Sequence, residues 1–259
     1  VEAPTAISVL LAGILLKLGV YGILRINYGL MPDGVYWFSG ALAVLGLINV
    51  IWGGLCALAQ TDLKKLVAYS SVNHMGYSLI GMAAIVAAGE ANGMNLKAAQ
   101  AGLGGAVFQM FNHGTISAML FILVGVIYDR AHHRDIEGFG GLAAQMPIYT
   151  GITAVAFFAG LGLPGFSGFI SEAMCFIGAF PVYKGIVIAS TIGILLNAAY
   201  FLWAFQRIFF GELNEKYTDL PEINRLELFT VVPLLVITMF FGIYPAPYLD
   251  IIASTMDVI

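Results

Sequence analysis

The chain has 259 residues, 60% of them hydrophobic and only 10% charged, with a formal net charge of −4 and a mean hydropathy of +0.91. Such a composition excludes an ordinary soluble domain, and the sparse, slightly acidic charge excludes nucleic acid as a partner and a basic membrane-surface helix. What remains is an all-α polytopic membrane protein.

The chain opens EAPTA and runs straight into an apolar stretch, without the basic-apolar-small pattern of a signal peptide. It is expected to be the C-terminal part of a longer protein and a single transmembrane domain over 1–259. Seven apolar segments are each long enough to cross a bilayer: 6–28, 35–60, 66–88, 98–128, 147–180, 185–210 and 228–244. Beyond Pro245 and Pro247, apolar residues at 249, 252, 256 and 259 keep helical spacing and suit a helix lying in the interface. No internal repeat is visible.

Lys and Arg counts give a sidedness. Connections after the second, fourth and sixth segments hold Lys64, Lys65, Arg130, Arg134, Arg207, Lys216 and Arg225, against Arg25, Lys97 and Lys184 on the other side. The positive-inside rule puts the richer side in the cytoplasm and the C-terminus outside.

The fifth segment is too long for one straight span. Its residues 147–180 would reach about 50 Å as a helix, against a hydrocarbon core of about 30 Å. The stretch GLGLPGFSGFISE marks a break: Gly162, Pro164, Gly165 and Gly168 favour unwinding, and Glu172 follows directly. Irregular backbone at membrane depth survives only inside protein or against a wet cavity.

Ionisable residues fall where lipid should be. Lys17 sits at the centre of the first segment, too deep to reach either interface, so it should face the bundle interior. His74 lies in the third among Ser70, Ser71, Asn73 and Ser78, and histidine passes protons near neutral pH. In the fourth, QMFNHGTIS places Gln109 and His113 on one helix face, with Asn112, Thr115 and Ser117 nearby. Together these suggest a hydrated proton path with Gln109, Asn112 and Ser71 in support. Each feature also has a purely structural reading. Lys17 would be a fixed ion pair, His74 a neutral ring satisfied by a hydroxyl, and the Gln109 turn an interhelical hydrogen-bond cluster. Glu172 would be interfacial if its span ended near Ile170.

Other features are blander. His132 and His133 in DRAHHRD read as a solvated charge cluster and not a metal site. Asp62 reads as a helix N-cap. The segment NEKYTDLPEINRLE reads as a polar surface loop open to a docking partner. Cys56 and Cys175 read as inert buried thiols. No haem, iron–sulfur or nucleotide-binding motif is present in the sequence.

Several long stretches resemble a known family. EAPTAISVLLAGILLKLGVYGILR, QTDLKKLVAYSSVNHMGYSLIGM, FQMFNHGTISAMLFILVGVIYDR, HHRDIEGFGGL and GLPGFSGFISE are similar to the antiporter-like membrane subunits of respiratory complex I, NADH:quinone oxidoreductase. Within them the subunit 4, or chain M, group is nearest. The resemblance implies an inverted-repeat fold in which the first span here is the family's eighth and the broken span belongs to the second repeat. It implies proton translocation through Lys17 as the central lysine, His74 and His113 as the axis histidines, and Glu172 as the end of the route. A glutamate there, where related subunits carry lysine, is what indicates subunit 4. It further implies no cofactor in this chain, with NADH, flavin, iron–sulfur clusters and quinone in partner subunits. Antiporter-like subunits would flank it on both sides, in a bacterial plasma membrane or another energy-coupling membrane. A cation/proton antiporter subunit, or the equivalent subunit of a membrane-bound hydrogenase or photosynthetic dehydrogenase, is the alternative, and a structural scaffold the alternative of a different class.

Overall fold

The computed structural model describes residues 2–88 and 92–256. In chain order its helices are α1 (Thr5–Leu30), α2 (Pro32–Leu58), α3 (Leu63–Ala88), α4 (Asn92–Ala131), the half-helices α5 (Pro147–Leu161) and α6 (Ser167–Ala179), α7 (Lys184–Phe209), α8 (Arg225–Ile243) and the terminal α9 (Ala246–Met256). Among the described residues the one extended pairing is an isolated bridge between Asp62 and Asp135. The tail is helical as its spacing suggests, although position 259 lies outside the described residues.

Five of these, α1, α2, α4, α7 and α8, are long and apolar enough to cross a membrane. At 26 residues, α3 is ~39 Å long and also spans, but Ser70, Ser71, Asn73, His74 and Ser78 dilute its apolar character. All five are buried. A polar helix survives at membrane depth when neighbours shield it, and here α2, α4 and α6 do so. The seventh crossing is the pair α5 and α6, 15 and 13 residues, or ~22 and ~20 Å, neither sufficient alone.

The break itself is built from backbone chemistry. Gly162 closes α5 in the left-handed region at φ 79°, and Gly165 takes φ 101°, conformations that a Cβ disfavours. Pro164 between them lacks an N–H, and α6 restarts at Ser167. From outside, α8 seals the break: Gly242 packs so closely on the Gly165 carbonyl and the Phe166 backbone that no side chain would fit there.

Connections after α2, α4 and α7 meet on one face. The Leu63 amide donates to the Arg134 carbonyl and the Ile136 amide to the Thr61 carbonyl, while Arg134 pairs with Asp62 at 3.2 Å. Asp62 also caps α3, accepting from the Lys64 amide at 2.7 Å. The segment 214–227 is less open than its polarity suggests. Glu222 accepts from the Ile148 and Tyr149 amides at the start of α5, and Arg130 forks onto Glu227 at 2.9 and 2.8 Å. His133 likewise is not simply solvated: it stacks on Phe139 and hydrogen-bonds the Tyr217 hydroxyl. Cys56 is half-exposed, whereas Cys175 is buried.

The apolar core forms two large clusters and a small third one of Leu42, Ala43 and Ala83. One, at the end near these connections, gathers residues such as Leu66, Leu123, Ile127, Tyr149 and Phe201. The other gathers Val50, Tyr77, Ile80, Leu103 and Cys175. Along α3 and α4 the polar residues 70–74 and 109–113 fall between the two, as a buried polar layer at mid-bundle.

Candidate functional site

That layer holds the side chains singled out from sequence. Lys17 is 8% exposed, His74 5%, His113 4% and Glu172 6%, so all four are inside the bundle. Lys17 follows a π-helical turn, Leu11–Leu15, which widens the helix and tips its carbonyls off axis. There the Lys17 ammonium donates to the Ala12 carbonyl. Its other partner is Nδ1 of His113, at 2.6 Å. Lys17 also borders an apolar groove of about 640 Å³ between α1, α4, α8 and α9.

At the opposite end Glu172, in α6, places Oε1 3.0 Å from His74 Nδ1. The Gln109 amide donates to the same oxygen at 3.5 Å. The Ser171 hydroxyl donates to Gln109, and the Asn112 amide donates to Ser171 at 3.0 Å and to the Ser167 carbonyl at 2.9 Å. Because Gln109 and His113 share a face of α4, one helix touches both ends. The rings of His74 and His113 have centroids 5.4 Å apart. Beside them is a cavity of about 10 Å³ bounded by His74, Gln109, His113, Gly160, Gly168 and Glu172, about the room one water needs.

Gly162 contributes through what it lacks. A Cβ there would lie 2.8 Å from Glu172 Oε2, so the glycine makes the carboxylate's seat as well as the turn. Gly168 similarly lets α6 approach the Ala159 carbonyl. Pro164 and Gly165 shape the loop without touching the line. Ser71 stands apart: its hydroxyl turns back to the Val67 carbonyl and lines a separate cavity of about 190 Å³ with Ser8 and Ala12.

Ser167, Ser171 and the Ala12 carbonyl do not stand out among the candidate residues of the sequence. The first two carry a legible signal, since their four-residue spacing puts both on one face of α6. The π turn at Ala12 has none. Asn112 Oδ1 and Ser167 Oγ are buried at the break without a hydrogen-bond partner among the described residues.

Among the described residues no group of His, Cys, Asp and Glu side chains is arranged to hold a metal ion. The fold and this layer define an antiporter-like integral membrane protein, with a buried line of ionisable side chains running up to a broken helix.

More specifically, the chain belongs to the NADH:quinone oxidoreductase/Mrp antiporter transmembrane family, whose profile matches residues 1–197. It is 41% identical over 257 residues to NADH-quinone oxidoreductase subunit M of Rhodobacter capsulatus, covering 99% of this chain and 48% of the relative. It is 38% identical over 260 residues to F(420)H(2) dehydrogenase subunit M of Methanosarcina mazei, covering 100% of this chain and 50% of the relative. Among solved structures, a chain of respiratory complex I from Thermus thermophilus with bound NADH superposes with a TM-score of 0.83 at 26% identity, covering 93% of this chain and 49% of that one. The chain thus spans about half the length of the curated relatives it matches.

Proposed function

We propose that this chain conducts protons as a membrane subunit of a redox-driven NADH:quinone oxidoreductase of the complex I type. One observation carries the reading: Lys17, His113, His74 and Glu172 form a buried series in which the end pairs are in contact and a single 5.4 Å step separates the histidines.

Each member has a distinct task. Lys17 holds a proton away from water, between the Ala12 carbonyl and His113. A change of charge near Lys17 alters how tightly that proton is held, since opposite charge favours the ammonium and burial disfavours it. Once released, the proton passes to His113 and across to His74, each histidine taking it on one ring nitrogen and giving it up from the other. Glu172 receives it, and the break beside it supplies polar backbone and room for water on the way to the outer face. The energy is redox energy supplied by other subunits, where NADH, flavin, iron–sulfur clusters and quinone would be bound. Antiporter-like neighbours on both sides would relay charge to Lys17 and from Glu172.

A specific observation favours keeping the electron donor open. The similarity to a subunit of F(420)H(2) dehydrogenase, 38%, is close to that for the NADH enzyme, 41%. The family also joins oxidoreductase and Mrp antiporter members, so cation/proton exchange is the second reading.

The test is Lys17→Ala in the assembled complex, with proton flux measured in sealed vesicles during NADH oxidation. A conductor loses flux. Retained flux per electron would instead assign Lys17 to helix packing, and flux that required Na⁺ would favour the antiporter reading.

A further inference from the structure

Beside the His74–Glu172 end of the line lies a second polar group that the series above does not use. Among the described residues Asn73 Oδ1, Tyr77 Oη and Asn197 Nδ2 have no hydrogen-bond partner, although all three residues are fully buried. A buried polar atom left without a partner is costly.

The three belong to one layer between α2, α3 and α7. Asn73 and Tyr77 stand four residues apart on one face of α3. The Asn73 amide donates to the Val50 carbonyl of α2 at 2.6 Å, which leaves its oxygen over. Val50 touches Gly193 of α7, and a Cβ on Gly193 would sit 2.6 Å from the Tyr77 hydroxyl. Gly54 of α2 packs on both the Asn73 amide and Leu196 of α7. The next residue, Asn197, accepts through its side-chain oxygen from the Tyr200 hydroxyl at 2.6 Å, which leaves its amide over.

The leftover atoms are chemically complementary. Asn73 offers an acceptor, Asn197 offers two N–H donors, and the Tyr77 hydroxyl can act either way. Water matches this set, since buried waters typically make about three hydrogen bonds to otherwise unsatisfied groups. The group is also attached to the proton series. The Tyr77 ring meets His74 edge-on, with centroids 6.2 Å apart.

We propose that Asn73, Tyr77 and Asn197 form a binding site for ordered water at the α2–α3–α7 interface, and that this site carries the proton line past Glu172 toward α7. The proposal rests on the proton-conducting reading. A proton leaving Glu172 breaks an O–H bond and one leaving His74 breaks an N–H bond; it forms an O–H bond on the Tyr77 hydroxyl or the bound water as another O–H proton is released on the α7 side, so only bonds from hydrogen to oxygen or nitrogen change.

Two measurements on the complete complex test it. A structure at a resolution that shows solvent should reveal water within hydrogen-bond distance of Asn73 Oδ1, Asn197 Nδ2 and the Tyr77 hydroxyl. Direct pairing of the two asparagines with no water between them would overturn the site. Tyr77→Phe and Asn197→Leu remove the polar atoms with little change in shape, and both should lower the protons moved per electron in sealed vesicles while the complex assembles normally. Unchanged yield in both variants, alongside loss of yield in Glu172→Gln, overturns the proposal and leaves the proton-conducting reading standing. Unchanged yield in all three overturns both.

Discussion

The ammonium of Lys17 stands 2.6 Å from Nδ1 of His113, joining the centre of the first helix to the central helix of the bundle. Among the described residues neither side chain hydrogen-bonds a further side chain. In the proposed route His113 is therefore the first side chain to take the Lys17 proton.

His113→Gln tests that relay. Glutamine can still accept from Lys17 but cannot carry a proton between two nitrogens. The expected outcome is normal assembly with proton flux reduced about as far as in Lys17→Ala, read as flux per electron in sealed vesicles. Flux equal to the parent would mean that Lys17 reaches Glu172 by another path.

The break offers a paired comparison between two glycines. Gly162 and Gly165 both hold positive φ, so an alanine at either should cost about 1–2 kcal/mol. Only Gly162 also abuts Glu172 Oε2, while Gly165 has open space at its Cβ position. Gly162→Ala should therefore lower both thermal stability and proton yield, whereas Gly165→Ala should lower stability alone. Equal effects on yield would show that the carboxylate's seat is not set by Gly162.

The connecting face should respond to pH through His133. Its Nδ1 accepts from the Asp135 amide at 3.1 Å, and Nε2 faces the Tyr217 hydroxyl. Partial burial and the Lys216 charge hold its pKa below the ordinary 6.5, against the opposing pull of Asp135. A folded value below the unfolded one means that the contact is complete above pH 6.5 and is lost as pH falls beneath it. The protection of the Asp135 amide, its exchange rate compared with the intrinsic rate at the same pH, should fall on acidification in the parent and be low at every pH in His133→Ala. Protection independent of pH in the parent would contradict the assignment.

Much of this arrangement was legible in the sequence, for identifiable reasons. Lys17, His74 and His113 stand out because charge and polarity at membrane depth are costly, and a span of residues 147–180 must break because of its length. What was not legible depends on contacts distant in the chain or on backbone detail. Nothing local marks the π turn that frees the Ala12 carbonyl. The polar run 214–227 looks like open surface because its partners, Arg130 and the α5 amides of Ile148 and Tyr149, lie elsewhere in the chain. Ser71 looked like part of the path because it neighbours Asn73 and His74, yet one helical step turns it toward Val67 and a different cavity.

The most direct measurement is the proton yield per electron of Glu172→Gln in sealed vesicles carrying the assembled complex. Glutamine keeps the size and the carbonyl acceptor but cannot hold a proton at this position. Electron transfer should continue with a sharply reduced proton yield; an unchanged yield would contradict a proton route that ends at Glu172.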